Sequence, residues 1–136
     1  MRRAIGDMNT GIETIHKNMK DLFLAEDEVE IEIIIQKNAT SAGLFFNYFD
    51  IVEERFLGKK QHVEIARNEF VKWNTIREET IRILRGGNIK EAAQRTKSNG
   101  EGGIRAEKVI QAIAIIDNQA REFGNKLYTD SVRLEK

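Results

Sequence analysis

Two histidines and no cysteine limit the chemistry open to this chain. The first histidine closes Glu13-Thr14-Ile15-His16, a Glu-x-x-His spacing that puts both side chains on one helix face, as di-iron bundles require. Such a site needs a second pair of this kind, yet Lys59 stands three residues before His62, so no metal site is expected. Lys17 and Lys20 beside His16 would suit a phosphoryl group. Met19 and Lys20, however, occupy the places where a phosphotransfer histidine is followed by Lys and Gly, and the proline that follows a kinase histidine is missing. Gly86-Gly87 and Gly100-Glu101-Gly102-Gly103 follow no strand and carry no Lys-Ser/Thr, so they read as helix stops rather than phosphate loops. Without cysteine there are no disulfides, thiolate ligands or thiol nucleophiles. No nucleophile and base fall into a catalytic arrangement. The expectation is a non-enzyme without a cofactor.

The residues with more to say are polar ones on apolar periodicities. Asn38 stands where its helix should present an apolar side chain, and Arg77 and Thr80 do the same further on. A buried polar group needs a partner, and an unpaired buried arginine is costly. These residues either satisfy one another and nearby acids across a core, or they line a cavity for an anion. Arg77, Thr80 and Asn38, with His16, are therefore the candidate ligand-binding residues. Lys17, Lys20, Arg82, Arg85 and Arg105 are expected at the same end, where the arginine fork would match a carboxylate. Glu26, Asp27, Glu28 and Glu30 are expected there too, and local salt bridging explains the charges equally well.

Helical spacing must position all of these. Ile5, Met8, Ile12, Ile15, Met19 and Leu22 step by threes and fours, and Asn38, Ala42, Phe45, Phe49, Val52 and Phe56 do likewise. Val63, Ala66, Phe70, Trp73, then Ile76 or Arg77, Thr80 and Leu84 form a third seam, and Ala106, Val109, Ile113, Ile116, Ala120, Phe123 and Leu127 a fourth. The spacing predicts one domain over 1–136, with helices at about 2–24, 27–57, 60–86 and 101–134 and a short helix at about 89–97. Residues 98–103 are the weakest helical stretch. Phe45, Phe46, Tyr48, Phe49, Phe70 and Trp73 at helical spacing read as a packed core layer. Short connections force antiparallel neighbours, which gives an all-α, antiparallel up-down-up-down four-helix bundle.

Composition agrees. The 136 residues contain no proline, against a usual share of about 5%, and long uninterrupted helices exclude it. Lys+Arg and Asp+Glu are 22 each, without the basic excess of a nucleic-acid binder. The longest apolar run, 112–116, is far short of the roughly 20 residues that span a bilayer.

The stretch from Ile12 to Ile31, with Lys20-Asp21-Leu22-Phe23-Leu24-Ala25-Glu26-Asp27-Glu28, resembles the end of the first helix and the acidic start of the second in a particular family. That family is the extracytoplasmic four-helix-bundle sensor domains of bacterial methyl-accepting chemotaxis receptors. Trp73-Asn74-Thr75-Ile76-Arg77 and Ile83-Leu84-Arg85-Gly86-Gly87-Asn88-Ile89-Lys90-Glu91-Ala92 resemble its third helix and glycine turn. Asn118-Gln119-Ala120 and Tyr128 are similar to its last helix, so the likeness spans nearly the whole chain. The resemblance implies a periplasmic ligand-sensing domain of a transmembrane receptor, working as a homodimer on a small molecule, with an organic anion such as a carboxylate as the candidate. Its place would be the periplasmic side of the inner membrane, anchored by transmembrane helices absent from this chain, which would then be an excised fragment. The output domain, whether chemotactic, cyclic-di-GMP or kinase, stays open. The alternative is a cytoplasmic helical-bundle protein-interaction module.

Overall fold

A computed structural model describes the backbone of residues 2–134 and the side chains of residues 3–124. Leu127 and Tyr128 lie outside the described side chains. The protein is all-helical, with α1 (Arg2–Asp21), α2 (Glu28–Arg55), α3 (Lys60–Arg85), α4 (Ile89–Thr96) and α5 (Glu101–Leu134) in chain order. None of these helices is long and apolar enough, over the described residues, to cross a membrane.

Local chemistry sets the boundaries. Past Asp21, Phe23 N–H donates to the Lys20 carbonyl (3.1 Å) and Leu24 N–H to that of Asp21 (3.0 Å). This tight turn ends α1 before the apolar seam does, and Leu22 beyond it is still buried. Asp27 caps α2, its carboxylate accepting from Glu30 N–H at 2.8 Å, while Glu30 reaches back to Glu26 N–H at 3.0 Å. α3 closes in a Schellman turn: Asn88 N–H donates to the Ile83 carbonyl (3.2 Å) and Gly87 N–H to that of Leu84 (3.0 Å). Gly87 has φ +93°, a left-handed conformation that favours glycine. Asn88 then caps α4 by accepting from Glu91 N–H at 3.2 Å.

The second glycine run is not a helix stop. Gly102 and Gly103 lie inside the first turn of α5 and are buried. A β-carbon on Gly102 would stand 2.9 Å from the Arg95 carbonyl, and one on Gly103 would meet that of Lys97. The missing side chains let α5 start against the end of α4.

α1 packs chiefly on α2 and α3 chiefly on α5; α1 also meets α5, and the approach of α2 to α3 is sparser. Among the described residues, Arg85, Arg77, Arg67 and Lys60 of α3 make polar ties across this seam, Lys60 by donating to the Glu53 carbonyl. Arg85 pairs with Glu32, Arg77 with Asn38, and Arg67 with both Asp50 and Glu53 (2.9 and 2.8 Å).

Two apolar clusters form the interior. The larger holds Ile5 to Ile15 of α1, Ala42 to Phe56, Val63 to Trp73, and Ala106 to Ala120. Phe45 stacks on Phe70 at 4.1 Å between centroids, with Phe49 edge-on to Phe45 at 5.2 Å. The smaller comprises Met19, Leu22, Leu84 and Ala92, with Ile31, Ile34, Ile35, Ile81 and Ile83 against it. Between the clusters, the core faces carry His16 on α1, Asn38 on α2, Arg77 and Thr80 on α3, and Thr96 on α4, all buried except the half-buried His16.

Phe123, expected in the α5 seam, is 38% exposed. Gln119, one turn earlier, already faces Gly58 in the α2–α3 connection, so the partner helices have ended by that level.

Candidate ligand-binding site

Helical spacing fixes which α3 residue faces inward. From Trp73 the next seam positions are Arg77, Thr80 and Leu84, all buried, while Ile76 is half-buried. Arg77 is therefore the core residue, only 3% exposed. Its Nη1 donates to Asn38 Oδ1 across the α2–α3 seam, and its Nη2 donates to Asn74 Oδ1 at 2.5 Å. Asn38 Nδ2 donates in turn to the Ile15 carbonyl at 3.1 Å, joining α1 to the network. The guanidinium carbon lies 5.1 Å from the Trp73 ring centre and 5.8 Å from that of Phe70, a cation–π arrangement.

No carboxylate lies within ion-pair distance of Arg77 among the described residues. Its Nε–H is buried without a protein partner. Burial lowers the pKa of Arg77 to about 10, with nearby Glu78 acting in the opposite direction. The group is still a cation at neutral pH, held by neutral amides and aromatic faces.

Arg77 and Asn38 open onto a cleft of about 530 Å³ between α2 and α3, within the size range of small-molecule sites. Ile35, Ala39, Ala42 and Ile81 provide apolar wall, and Asn74, Glu78, Arg82 and Arg85 the polar part. Arg82 is exposed and makes no ion pair among the described residues. Arg85 is engaged by Glu32, whose carboxylate accepts from Nη2 (2.8 and 2.9 Å) and Nε (3.2 Å).

The structure divides the four expected ligand residues. Asn38 and Arg77 meet at the cleft. Thr80 and His16 share with Arg77 only a void of about 10 Å³, also lined by Trp73 and Thr96, room for about one water. The Thr80 hydroxyl donates to the Ile76 carbonyl at 2.8 Å and accepts from Arg95 Nε at 2.9 Å, so its one proton is already used. His16 lies 6.4 Å from the Trp73 ring. Its pKa is lowered, first by burial and then by Lys20, which favours the neutral imidazole.

Arg105 does not join the basic group. It pairs with Glu69 at 2.6 Å, and this bond holds the Glu69 carboxyl below its ordinary pKa. Among the described residues, no group of three or more His, Asp or Glu is arranged to hold a metal ion.

Two contributors were not singled out from the sequence. Asn74 sits one turn before Arg77 on the same face of α3, a spacing that would have found it. Arg95 carries no such signal. From the short helix α4 it reaches Thr80, the Ile76 carbonyl (3.4 Å), Glu79 (3.4 Å) and Glu101 (3.0 Å), so only the fold brings its partners together. Comparison with known protein families, curated proteins and solved structures returns no match.

Proposed function

We propose that this chain is a ligand-sensing module that binds a small organic anion in the α2–α3 cleft. The observation that carries it is Arg77, a buried cation with two amide partners and no acid within ion-pair distance, at a cleft whose other arginines are Arg82 and Arg85. An uncompensated buried charge is expensive, and an anion entering the cleft would offset it. Asn38 and Asn74 orient the guanidinium, Arg95 and Thr80 brace α3 behind it, and the apolar wall takes the body of the ligand.

The architecture that goes with this function is an antiparallel up-down-up-down four-helix bundle, with α4 inserted before the last long helix. Its support is the order of cross-helix pairs. Along α2 and α3 the ties run 32 to 85, 38 to 77, and 50 and 53 to 67, ascending on one helix while descending on the other. Asn38 reaches Ile15, whereas Phe45 lies beside Gly11, the same reversed order for α1 and α2. Arg105 with Glu69 and Gln119 beside Gly58 repeat it for α3 and α5.

In this proposal the module is the periplasmic part of a chemotaxis or related transmembrane receptor, dimeric, with membrane anchors outside these 136 residues. A ligand can shift such a bundle only by preferring one of two packings. The end of the α2–α3 seam beyond the Phe45–Phe70 stack is the natural place for the difference, because the ties there, Asn38 with Arg77 and Glu32 with Arg85, are polar while α1–α2 and α3–α5 are closely packed. Displacements of about 1–2 Å between packed helices are a known means of transmission.

A cytoplasmic interaction module is favoured by a different feature. A groove of about 890 Å³ between α1 and α2 exposes Val29 (70%) and Ile33 (51%), a surface suited to a partner helix.

A thermal-shift screen of organic carboxylates, with Trp73 fluorescence as a second readout, decides between them. The sensing proposal expects a carboxylate to raise the melting temperature of the wild type and to leave Arg77→Met unmoved. Equal shifts in both proteins, or none in either, would remove it.

A further inference from the structure

The bidentate contact of Glu32 with Arg85 has the form of a bound carboxylate. Glu32 reaches from α2 across the open seam and takes both Nε and Nη2 of an arginine that lines the cleft. This is the planar match of fork to carboxylate that makes arginine a carboxylate receptor. Both side chains are about half exposed, 51% for Arg85 and 56% for Glu32, and an exposed pair of this kind is held only weakly. It differs in this from the Arg77–Asn38 tie, which is buried. Arg85 also stands two turns beyond Arg77 on the same face of α3, with Ile81 between them in the cleft wall.

We propose that Arg85 is the second anchor of the cleft and that Glu32 is the internal carboxylate an incoming ligand replaces on it. The proposal rests on the anion-binding function above and adds its regulation. In the ligand-free protein Glu32 competes for Arg85 and ties the start of α2 to the end of α3. A ligand carboxylate takes the same two N–H groups, Glu32 turns to water, and its tie across the seam at that end is released. The exchange swaps one carboxylate for another on an unchanged guanidinium, so no net charge is left unpaired at Arg85. Recognition and helix displacement are thereby one event.

The chemistry selects a ligand with a planar carboxylate on an apolar body, facing Ile35, Ala39, Ala42 and Ile81. Benzoate, hexanoate and 3-phenylpropionate are suitable probes, with benzyl alcohol as the uncharged control. Titration calorimetry on the full chain is run on wild type, Glu32→Gln, Arg85→Ala, the double variant and Arg77→Met. Both substituted surface positions are exposed enough for the variants to fold.

Removing the competitor is expected to tighten carboxylate binding about two- to fivefold in Glu32→Gln, the strength of an exposed pair expressed as affinity. Arg85→Ala weakens it more in the Glu32→Gln background than in the wild type, where the ligand's gain on Arg85 is reduced by the tie it replaces. In the Arg85→Ala background, Glu32→Gln gives no gain. A gain that persists there is general charge repulsion and overturns the exchange. Unchanged affinity in Glu32→Gln, with binding still lost in Arg77→Met, overturns the exchange but leaves the anion site standing. Absence of carboxylate binding in every variant overturns both.

Discussion

Phe70 and Arg77 face the same interior from α3, about two turns apart, and they live under different physics. The ring centres of Phe45, Phe46, Phe49 and Trp73 lie 4.1 to 6.1 Å from that of Phe70. Stabilisation there is non-directional and grows with apolar area removed from water. Around Arg77 each polar atom needs a partner of the right kind in the right place. Asn38 and Asn74 supply two, and the charge itself stays uncancelled. The aromatic layer holds the helices together, and the polar layer fixes which polar groups must meet. Trp73 joins them, with one face of its surroundings given to Phe70 and another to the guanidinium.

The sharpest way to break this division is to delete from each layer in turn. Phe70→Ala removes a fully buried ring from the stacked layer and is expected to cost about 3–5 kcal/mol, measured by urea unfolding. Asn38→Leu is the corresponding insult to the polar layer. It leaves one N–H of Arg77 without a partner and takes the second bond from the Ile15 carbonyl, which keeps its helical one, at about 1–3 kcal/mol. A loss well below 1 kcal/mol there would mean the network relaxes freely and is not a fixed constellation.

Arg77→Met sharpens the contrast further, because it takes the charge away but leaves the amide oxygens of Asn38 and Asn74 without their donor. Relief of the buried charge offsets part of the cost of the stranded acceptors. A net loss of about 1–2 kcal/mol is expected, below that of Phe70→Ala, accompanied by loss of any carboxylate-induced melting shift. A loss equal to that of Phe70→Ala would make Arg77 a structural residue and dissolve the distinction.

His16 tests the edge of the polar layer and gives the smallest effect. Its folded pKa lies below the ordinary 6.5, so the unfolded chain takes up a proton that the folded one resists. This contribution to stability is full above 6.5 and falls as pH drops below it. Partial exposure keeps it small. The slope of stability against pH just below 6.5 should flatten in His16→Gln; an unchanged slope would place the titration elsewhere.

Much of the helical framework was legible because it depends on short-range periodicity. Ile5, Met8, Ile12, Ile15, Met19 and Leu22 are each buried, as steps of three and four require. Asn38, Arg77 and Thr80 were legible as exceptions for the same reason: an apolar rhythm exposes what interrupts it. Arg95 was not, because its partners Thr80, Glu79 and Glu101 come from α3 and α5, and nothing in α4 alone distinguishes it from a solvated arginine. The second glycine run was misread for a related reason. The same glycines serve a helix stop or a close helix approach, and the backbone carbonyls that Gly102 and Gly103 must clear belong to a neighbouring turn.

The sequence by itself determined the helices, their inward faces and the presence of a polar interruption in an apolar interior, since each follows from spacing along one strand of chain. Only the tertiary structure decided which interruptions meet. It joined Arg77 to Asn38, gave Thr80 to Arg95, left His16 at a void hardly larger than a water, and sent Arg105 to Glu69. Hydrogen bonds and ion pairs act over a few ångströms, and residues dozens of positions apart come within that range only once the helices have packed.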